Sequence, residues 1–272
     1  MIDVLKWILI VILIMSALYV LSVRGRSGHP GWEQLRGWSY AHRGLHNQDR
    51  PENSMAAFRA ALEHGYGIEL DIHLMKDGNL AVIHDSSLKR TAGADVKIEE
   101  LSLEDLDLYR LEGTEERIPL FRDVLALYAG KAPMIIELKA DGNNHAALCK
   151  AVCDLLVDYQ GVYCIESFDP RCILWLRQNQ PNIIRGQLSE DYFKSKAPLP
   201  GVLKFILTNQ MENFLAEPDF VAYCWSDRGH FSNFLVRKLW GVQGVTWTLR
   251  SQEEYDAAVA DGWIPIFENF EP

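Results

Sequence analysis

Positive charge is scarce in this chain of 272 residues: 27 Lys and Arg face 37 Asp and Glu, a formal net charge of −10 at pH 7. Lys6, Arg24, Arg26 and Arg36 against Asp3 and Glu33 give residues 1–38 a balance of +2, which leaves −12 on the remainder. An acidic body does not track a nucleic-acid backbone, so nucleic acid is excluded as a partner. An anionic substrate must then be drawn in locally, by a metal ion or a few placed cations. Paired cysteine is also lacking. The five cysteines, Cys149, Cys153, Cys164, Cys172 and Cys224, are odd in number and contain no CxxC. Cys149 and Cys153 lie one helical turn apart, but no second Cys/His pair follows at zinc spacing. They read as small buried hydrophobes in a reducing compartment. Low-complexity segments and internal repeats are missing too. With 48% hydrophobic and 24% charged residues, most of the chain is expected to be globular.

Long hydrophobic runs are absent after the first 23 residues. Val4 to Val23 is almost wholly apolar, interrupted by Lys6 near one end, with Trp7 and Tyr19 where interfacial aromatics sit. About 20 residues at 1.5 Å each span a hydrocarbon core of roughly 30 Å. A cleaved signal peptide is the competing reading, but no small-x-small site follows; Arg24 and Arg26 do. The expectation is a single-pass anchor over 1–23. The excess of Arg after the span favours a cytoplasmic C-terminal domain. Residues 24–37, with four glycines and a proline, read as a flexible linker, and 38–272 as the globular domain.

From Trp38 onward short apolar runs alternate with helical patterns. Expected strands are Ser39–His42, Ile68–Ile72, Leu80–His84, Met134–Leu138, Val162–Ser167, Ile183–Gln187, either Phe205–Leu207 or Phe220–Cys224, Val245–Leu249 and Ile264–Phe267. Helical patterns such as Met55–His64, Leu120–Tyr128, Ala146–Tyr159, Pro170–Asn179, Ser232–Trp240 and Gln252–Asp261 fall between them. This alternation predicts a parallel α/β fold, and its period of roughly 25 residues a TIM-like (β/α)8 barrel. In such barrels chemistry sits at the C-terminal ends of the strands, where His42-Arg43, Glu69 and Asp71, His84-Asp85, Glu137 and Lys139, Ser167, Gln187 and Trp247 are placed.

Glu69 and Asp71 lie at i and i+2 of one strand and so point to one face, leaving Ile68, Leu70 and Ile72 on the other. Adjacent carboxylates stay ionised cheaply when a cation lies between them, and hard oxygen ligands suit Mg²⁺ or Ca²⁺. Glu137 and Lys139 share a face by the same rule. Glu137 suits the metal shell and Lys139 a phosphate; a buried ion pair between them is the structural alternative. His42 and His84 each end an apolar strand, and histidine supplies the donor and the acceptor near neutrality that general acid–base work needs; Arg43 offers a planar fork for phosphate oxygens. Pro51-Glu52-Asn53-Ser54 either only caps the next helix or also orients the site. If Asp77-Gly78 is a two-residue turn, Asp71 faces His84 across the hairpin.

Taken in order, His42-Arg43-Gly44, Pro51-Glu52-Asn53-Ser54, Glu69-Leu70-Asp71, Lys76-Asp77-Gly78, His84-Asp85, Leu88-Lys89-Arg90-Thr91, Ile118-Pro119-Leu120, Glu137-Leu138-Lys139, Ser167-Phe168 and Trp247-Thr248 resemble the glycerophosphodiester phosphodiesterases over nearly all of 39–272. The resemblance implies a TIM barrel that cleaves glycerophosphodiesters to an alcohol and glycerol 3-phosphate with a divalent cation. It implies Glu69, Asp71 and Glu137 as metal ligands and His42 and His84 as the acid–base pair. Arg43 and Lys139 would hold phosphate, and Phe168 and Trp247 would wall the glycerol pocket. The chain departs from the family in lacking an insertion between His84 and Ile118, and in ending Ile266-Phe267-Glu268-Asn269 where the closing strand usually carries Thr-Asp or Thr-Asn. Two other readings are kept: a lysophospholipase D-like reaction on bilayer lysolipids, motivated by the anchor, and a non-catalytic domain that binds phosphate head groups, disfavoured because the core positions are all filled. Phe231-Ser232-Asn233-Phe234, near Trp225 and Trp240, either packs in the core, the favoured reading, or touches lipid.

Overall fold

The computed structural model describes residues 2–195 and 197–272. The helices are α1 (Ile2–Ser22), α2 (Trp32–Leu35), α3 (Met55–Glu63), α4 (Lys89–Ala92), α5 (Phe121–Tyr128), α6 (His145–Leu156), α7 (Pro170–Asn179), α8 (Gly201–Thr208), α9 (Asn213–Ala216), α10 (Phe231–Phe234) and α11 (Gln252–Ala260). The strands are β1 (Tyr40–Ala41), β2 (Gly67–Leu74), β3 (Leu80–Val82), β4 (Met134–Leu138), β5 (Tyr163–Ser167), β6 (Arg185–Ser189), β7 (Phe220–Cys224), β8 (Gln243–Leu249) and β9 (Trp263–Phe267). Eight of them pair in parallel around the ring β1-β2-β4-β5-β6-β7-β8-β9, and β1 pairs with both β2 and β9, so the barrel is closed. The unusual C-terminal sequence still supplies the closing strand, with Ile266 beside Tyr40 and Phe267 beside Ala41.

Alternation along the strands sorts the side chains. Ile68, Leu70, Ile72, Met134, Ile136, Leu138 and Ile165 point outward and pack with Phe58, Phe121, Val124, Tyr128, Leu148 and Ile173 of the surrounding helices. Tyr40, Ile135, Cys164, Ile184, Phe220, Val245, Ile264 and Ile266 fill the interior. Both faces of the sheet are thus buried, which is why the strands read as near-continuous apolar runs. The interior needs room: a Cβ on Gly186 would lie 2.1 Å from the Phe220 ring, and one on Gly67 2.8 Å from the Tyr40 ring.

The structure settles one open alternative and departs from two expectations. The ambiguous strand is Phe220–Cys224; Phe205–Leu207 belongs to α8, since three apolar residues fit either period. The β2–β3 hairpin is paired Ile72 to Val82 and Leu74 to Leu80, with Met75 N–H donating to Asn79 O. The loop is therefore three residues, Lys76-Asp77-Gly78, with Gly78 left-handed at φ 87°. That slips the register by one and sets Ile83, not His84, opposite Asp71; Ile83 N–H donates to Asp71 O at 3.1 Å. Residues 24–37 are held against the barrel rather than loose. Arg24 pairs with Glu217, Arg26 with the fully buried Asp219, and Trp32 and Leu35 plug the barrel floor, the Trp32 ring edge-on to Phe220 at 5.4 Å. Gly25 serves a close approach there: a Cβ would lie 2.6 Å from Pro218 O.

Helix α1 contains a 20-residue stretch, Asp3–Ser22, long and apolar enough to cross a membrane; it is exposed over most of its length, and only its last turn, at Tyr19 and Val20, packs partly against the barrel.

Candidate active site

The end of the barrel where the strands finish holds a cavity of about 220 Å³ lined by His42, Arg43, Glu69, His84, Glu137, Phe168 and Trp247 among others. Asp71 and Lys139 stand directly behind that lining. All nine residues singled out in the sequence thus meet in one place.

Glu69 and Asp71 rise from β2 and Glu137 from β4, where Asp71 and Glu137 are register partners. The three are buried, and one oxygen of each lies within 4.8 Å of the others. Lys139 Nζ comes within 2.7 Å of Glu137 Oε1 and 3.0 Å of Asp71 Oδ1. Neither approach is aligned as a hydrogen bond, so both oxygens lack a hydrogen-bond partner. Lys139 thus makes the buried ion pair that was the structural alternative, but one ammonium leaves three converging buried carboxylates under-neutralised, a set that fits a divalent cation. Burial and the neighbouring carboxylates Asp71 and Glu137 push the Glu69 carboxyl well above its usual range. Burial likewise lifts Glu137 to about 7, against the opposing charge of Lys139. Asp71 is held well below the usual range: burial raises it, but Lys139, His84, Arg43 and the Asn53 amide lower it further.

The loops fix these groups. Arg43, at φ 56°, turns the chain after β1 so that its N–H donates to Glu69 Oε2 at 3.1 Å while its guanidinium reaches Glu52 at 2.9 Å. Gly44 follows where a Cβ would meet Ala57 and Phe58 at 2.9 Å. The Pro51–Ser54 motif does both things the sequence left open. Ser54 caps α3 by accepting from Ala57 N–H, while Asn53 donates to Asp71 Oδ2 at 2.7 Å. Arg90 of the Leu88–Thr91 motif binds both Glu52 and Asp85, tying two loops together.

The two histidines carry different supports. His42 Nδ1 is 2.7 Å from Glu268 Oε1, and its Nε2 lies 3.9 Å from Glu69. Burial lowers its pKa, with the Glu268 bond opposing. His84 Nδ1 is 2.7 Å from Asp85 Oδ1, and His73 Nε2 holds the His84 carbonyl at 3.1 Å. Burial pushes His84 down to about 4 despite the Asp71 charge. Phe168 and Trp247 meet edge to face at 5.6 Å on one wall, and Lys139 Nζ lies 5.9 Å from the Phe168 ring centre.

Two lining residues escaped the sequence reading. Glu166, on β5 beside Glu137, is 1% exposed; burial and the Glu137 charge raise its pKa well above normal. Its Oε2 has no partner. An acid among the apolar residues of a buried strand was the available signal. Glu268, just past β9, bonds His42 and Arg250, and its carboxyl is held far below its usual range, burial being outweighed by His42 and His46. Its signal was the very departure from the usual closing strand.

Comparison with known proteins agrees with this geometry. Residues 42–270 match the glycerophosphoryl diester phosphodiesterase family. A lysophospholipase D of Rattus norvegicus is 34% identical over 122 residues, 40% of this chain and 38% of that one. A glycerophosphodiester phosphodiesterase of Bacillus altitudinis is 39% identical over 108 residues, 37% and 43% of the two chains. The match thus spans less than half the length of these relatives. The YhdW protein of Bacillus subtilis is 27% identical over 85% of this chain and 94% of its own. The fold is shared with an Oleispira antarctica phosphodiesterase solved with the product sn-glycerol-3-phosphate (TM-score 0.72, 20% identity, 89% and 95% covered). It is also shared with the Thermotoga maritima glycerophosphodiester phosphodiesterase (TM-score 0.63, 24% identity, 85% and 93% covered).

Proposed function

The chain belongs to the glycerophosphoryl diester phosphodiesterase family, and from that premise we propose that it hydrolyses glycerophosphodiesters to an alcohol and sn-glycerol 3-phosphate. The observation that carries the reading is the meeting of two histidines, an acidic triad and two cations in one cavity at the strand ends.

Glu69, Asp71 and Glu137 would hold a divalent cation, Mg²⁺ or Ca²⁺, which when bound would supply positive charge to the phosphoryl oxygens. Arg43 and Lys139 bind the diester's remaining phosphate oxygens. His84, uncharged at neutral pH and fixed through Nδ1 by Asp85, takes at Nε2 the proton of the nucleophile, either water, which gives glycerol 3-phosphate directly, or the glycerol 2-hydroxyl, which gives a cyclic phosphodiester that water then opens. His42, whose imidazolium form Glu268 supports, gives a proton from Nε2 to the departing alcohol. Phe168 and Trp247 wall the glycerol moiety. Helix α1 would anchor the enzyme in a membrane, and Arg24, Arg26 and Arg36 after it favour the barrel on the cytoplasmic side.

The test is release of glycerol 3-phosphate from glycerophosphocholine, glycerophosphoethanolamine and glycerophosphoglycerol, with EDTA and with added Mg²⁺ or Ca²⁺. Metal-dependent release is expected. Folded, metal-loaded protein that releases nothing would refute the reading. A second reading, lysophospholipase D-like cleavage of bilayer lysolipids, is favoured by α1. Preference for the water-soluble diesters over lysolipids in vesicles would reject it.

A further inference from the structure

Phe231 and Phe234, expected in the core, are 62% and 58% exposed, with their rings stacked 6.1 Å apart. Ser232 and Asn233 between them are the buried pair. They are not isolated. Val202, Leu203 and Phe205 of α8, Phe214 and Leu215 of α9, and Leu239 in the π-helical stretch after α10 are also exposed. The elements that carry them are tied together: Gln210, between α8 and α9, donates to Ser232 Oγ at 3.1 Å and to Asn233 Oδ1 at 2.8 Å. Scattered exposed apolar residues need no explanation, but this many on elements linked to one another mark a surface that rests on something.

The root of α1 stands in the middle of this surface. Val23 packs with Val221, Leu235, Val236 and Val242. Trp240 Nε1 donates to Val20 O at 2.9 Å, Asn213 Nδ2 to Val23 O at 3.5 Å, and Tyr19 to Asn209 Oδ1 at 3.4 Å. These contacts climb the barrel. Val23 sits at the foot of β7, whereas Asn209 follows Leu207 and Thr208, whose carbonyls accept from Ser189 and Tyr223 near the far ends of β6 and β7. Helix α1 therefore leaves toward the end that carries the cavity. Two cations nearby, Lys204 and Arg228, form no ion pair among the described residues, and Arg228 lies 3.7 Å over the Trp225 ring.

We propose that this apolar surface rests in the bilayer interface beside α1, as a second, non-spanning membrane contact that holds the mouth of the barrel at head-group level. The bilayer is the occupant because the surface adjoins the root of a helix whose apolar stretch is exposed from Val4 to Leu18. Aromatic and aliphatic side chains with flanking Lys and Arg are the composition that settles at the boundary of acyl chains and phosphates. The inference rests on α1 being an anchor and adds that the barrel is not free on its stalk.

The test places a nitroxide at four positions of the full chain carrying Cys224→Ser, in nanodiscs of phosphatidylcholine and phosphatidylglycerol: Phe205→Cys and Phe231→Cys in the surface, Leu13→Cys in α1, and Val157→Cys, 72% exposed beyond α6, as reference. Collision rates are read with oxygen, which concentrates in lipid, and with a water-soluble nickel complex. The oxygen-to-nickel ratio at 205 and 231 is expected to exceed that at 157 and to approach that at 13. A lipid-like ratio at 13 with water-like ratios at 205 and 231 leaves the anchor standing and overturns the second contact. Water-like ratios at all four overturn both. Shielding of 205 and 231 from both colliders shows a second protein copy on the surface, and overturns the proposal in its favour.

Discussion

Glu69, Asp71, Glu137 and Glu166 share one buried site with Arg43 and Lys139, and burial holds three of the four carboxyls above their usual range. A cation entering the triad must then displace protons. Because the Glu137 carboxyl titrates near 7, apparent metal affinity should fall as pH drops below that value, by up to about tenfold per unit for each proton displaced. Calorimetric titration of the EDTA-stripped enzyme between pH 5 and 8 checks this, and a flat affinity would remove Glu137 from the ligand set. His42→Ala and His84→Ala should each lower turnover by roughly 10²-fold or more; near-full activity in either refutes its role. Glu268 is a positioning residue for His42. Glu268→Gln keeps an acceptor but removes the charge that supports the imidazolium, so His42 should titrate at lower pH and kcat fall about tenfold, one pKa unit being about 1.4 kcal/mol. An unmoved pH–rate profile would make Glu268 merely structural. At this scale the residue types were legible wherever strand alternation forced two polar groups onto one face. Glu166 and Glu268 were not, because each becomes functional through a neighbour far off in sequence.

Individual elements show where periodicity suffices and where it fails. Helices α7 and α11 begin where their caps stand in the sequence, Asp169 before Pro170 and Ser251 before Gln252, each accepting a backbone N–H. The β2–β3 hairpin was misregistered by one residue because Asp77-Gly78 fits a two-residue or a three-residue loop, and a single slip reverses the facing of every side chain. His84 reaches the site all the same, since β3 ends at Val82 and the ladder no longer dictates its direction. Glycine and proline between 24 and 37 suggested a tether, whereas Gly25 is needed for close approach and Trp32 closes the barrel floor. Trp32→Ala should therefore cost about 3–5 kcal/mol, read as a lowered Tm, while kcat per folded molecule at the opposite end stays unchanged. An unaltered Tm would return this segment to the status of a linker.

For the whole molecule, the apolar stretch of α1 and its contacts with the barrel predict a protein that cannot be washed off. The full chain should sediment with membranes and stay there through high salt and alkaline carbonate, as a spanning helix does. Release by either wash would reduce α1 to a peripheral contact. The sequence by itself determined the closed α/β barrel and most of the site. Apolar runs at a regular period have few ways to bury both faces, and an i, i+2 pair of charges inside such a run must point inward together. Tertiary structure alone decided which carboxylates lack donors, that Glu268 stands behind His42, that Trp32 fills the floor, and that Phe231 and Phe234 face outward beside α1. Each of these depends on which distant segments become neighbours when the barrel closes, and local periodicity carries no information about that.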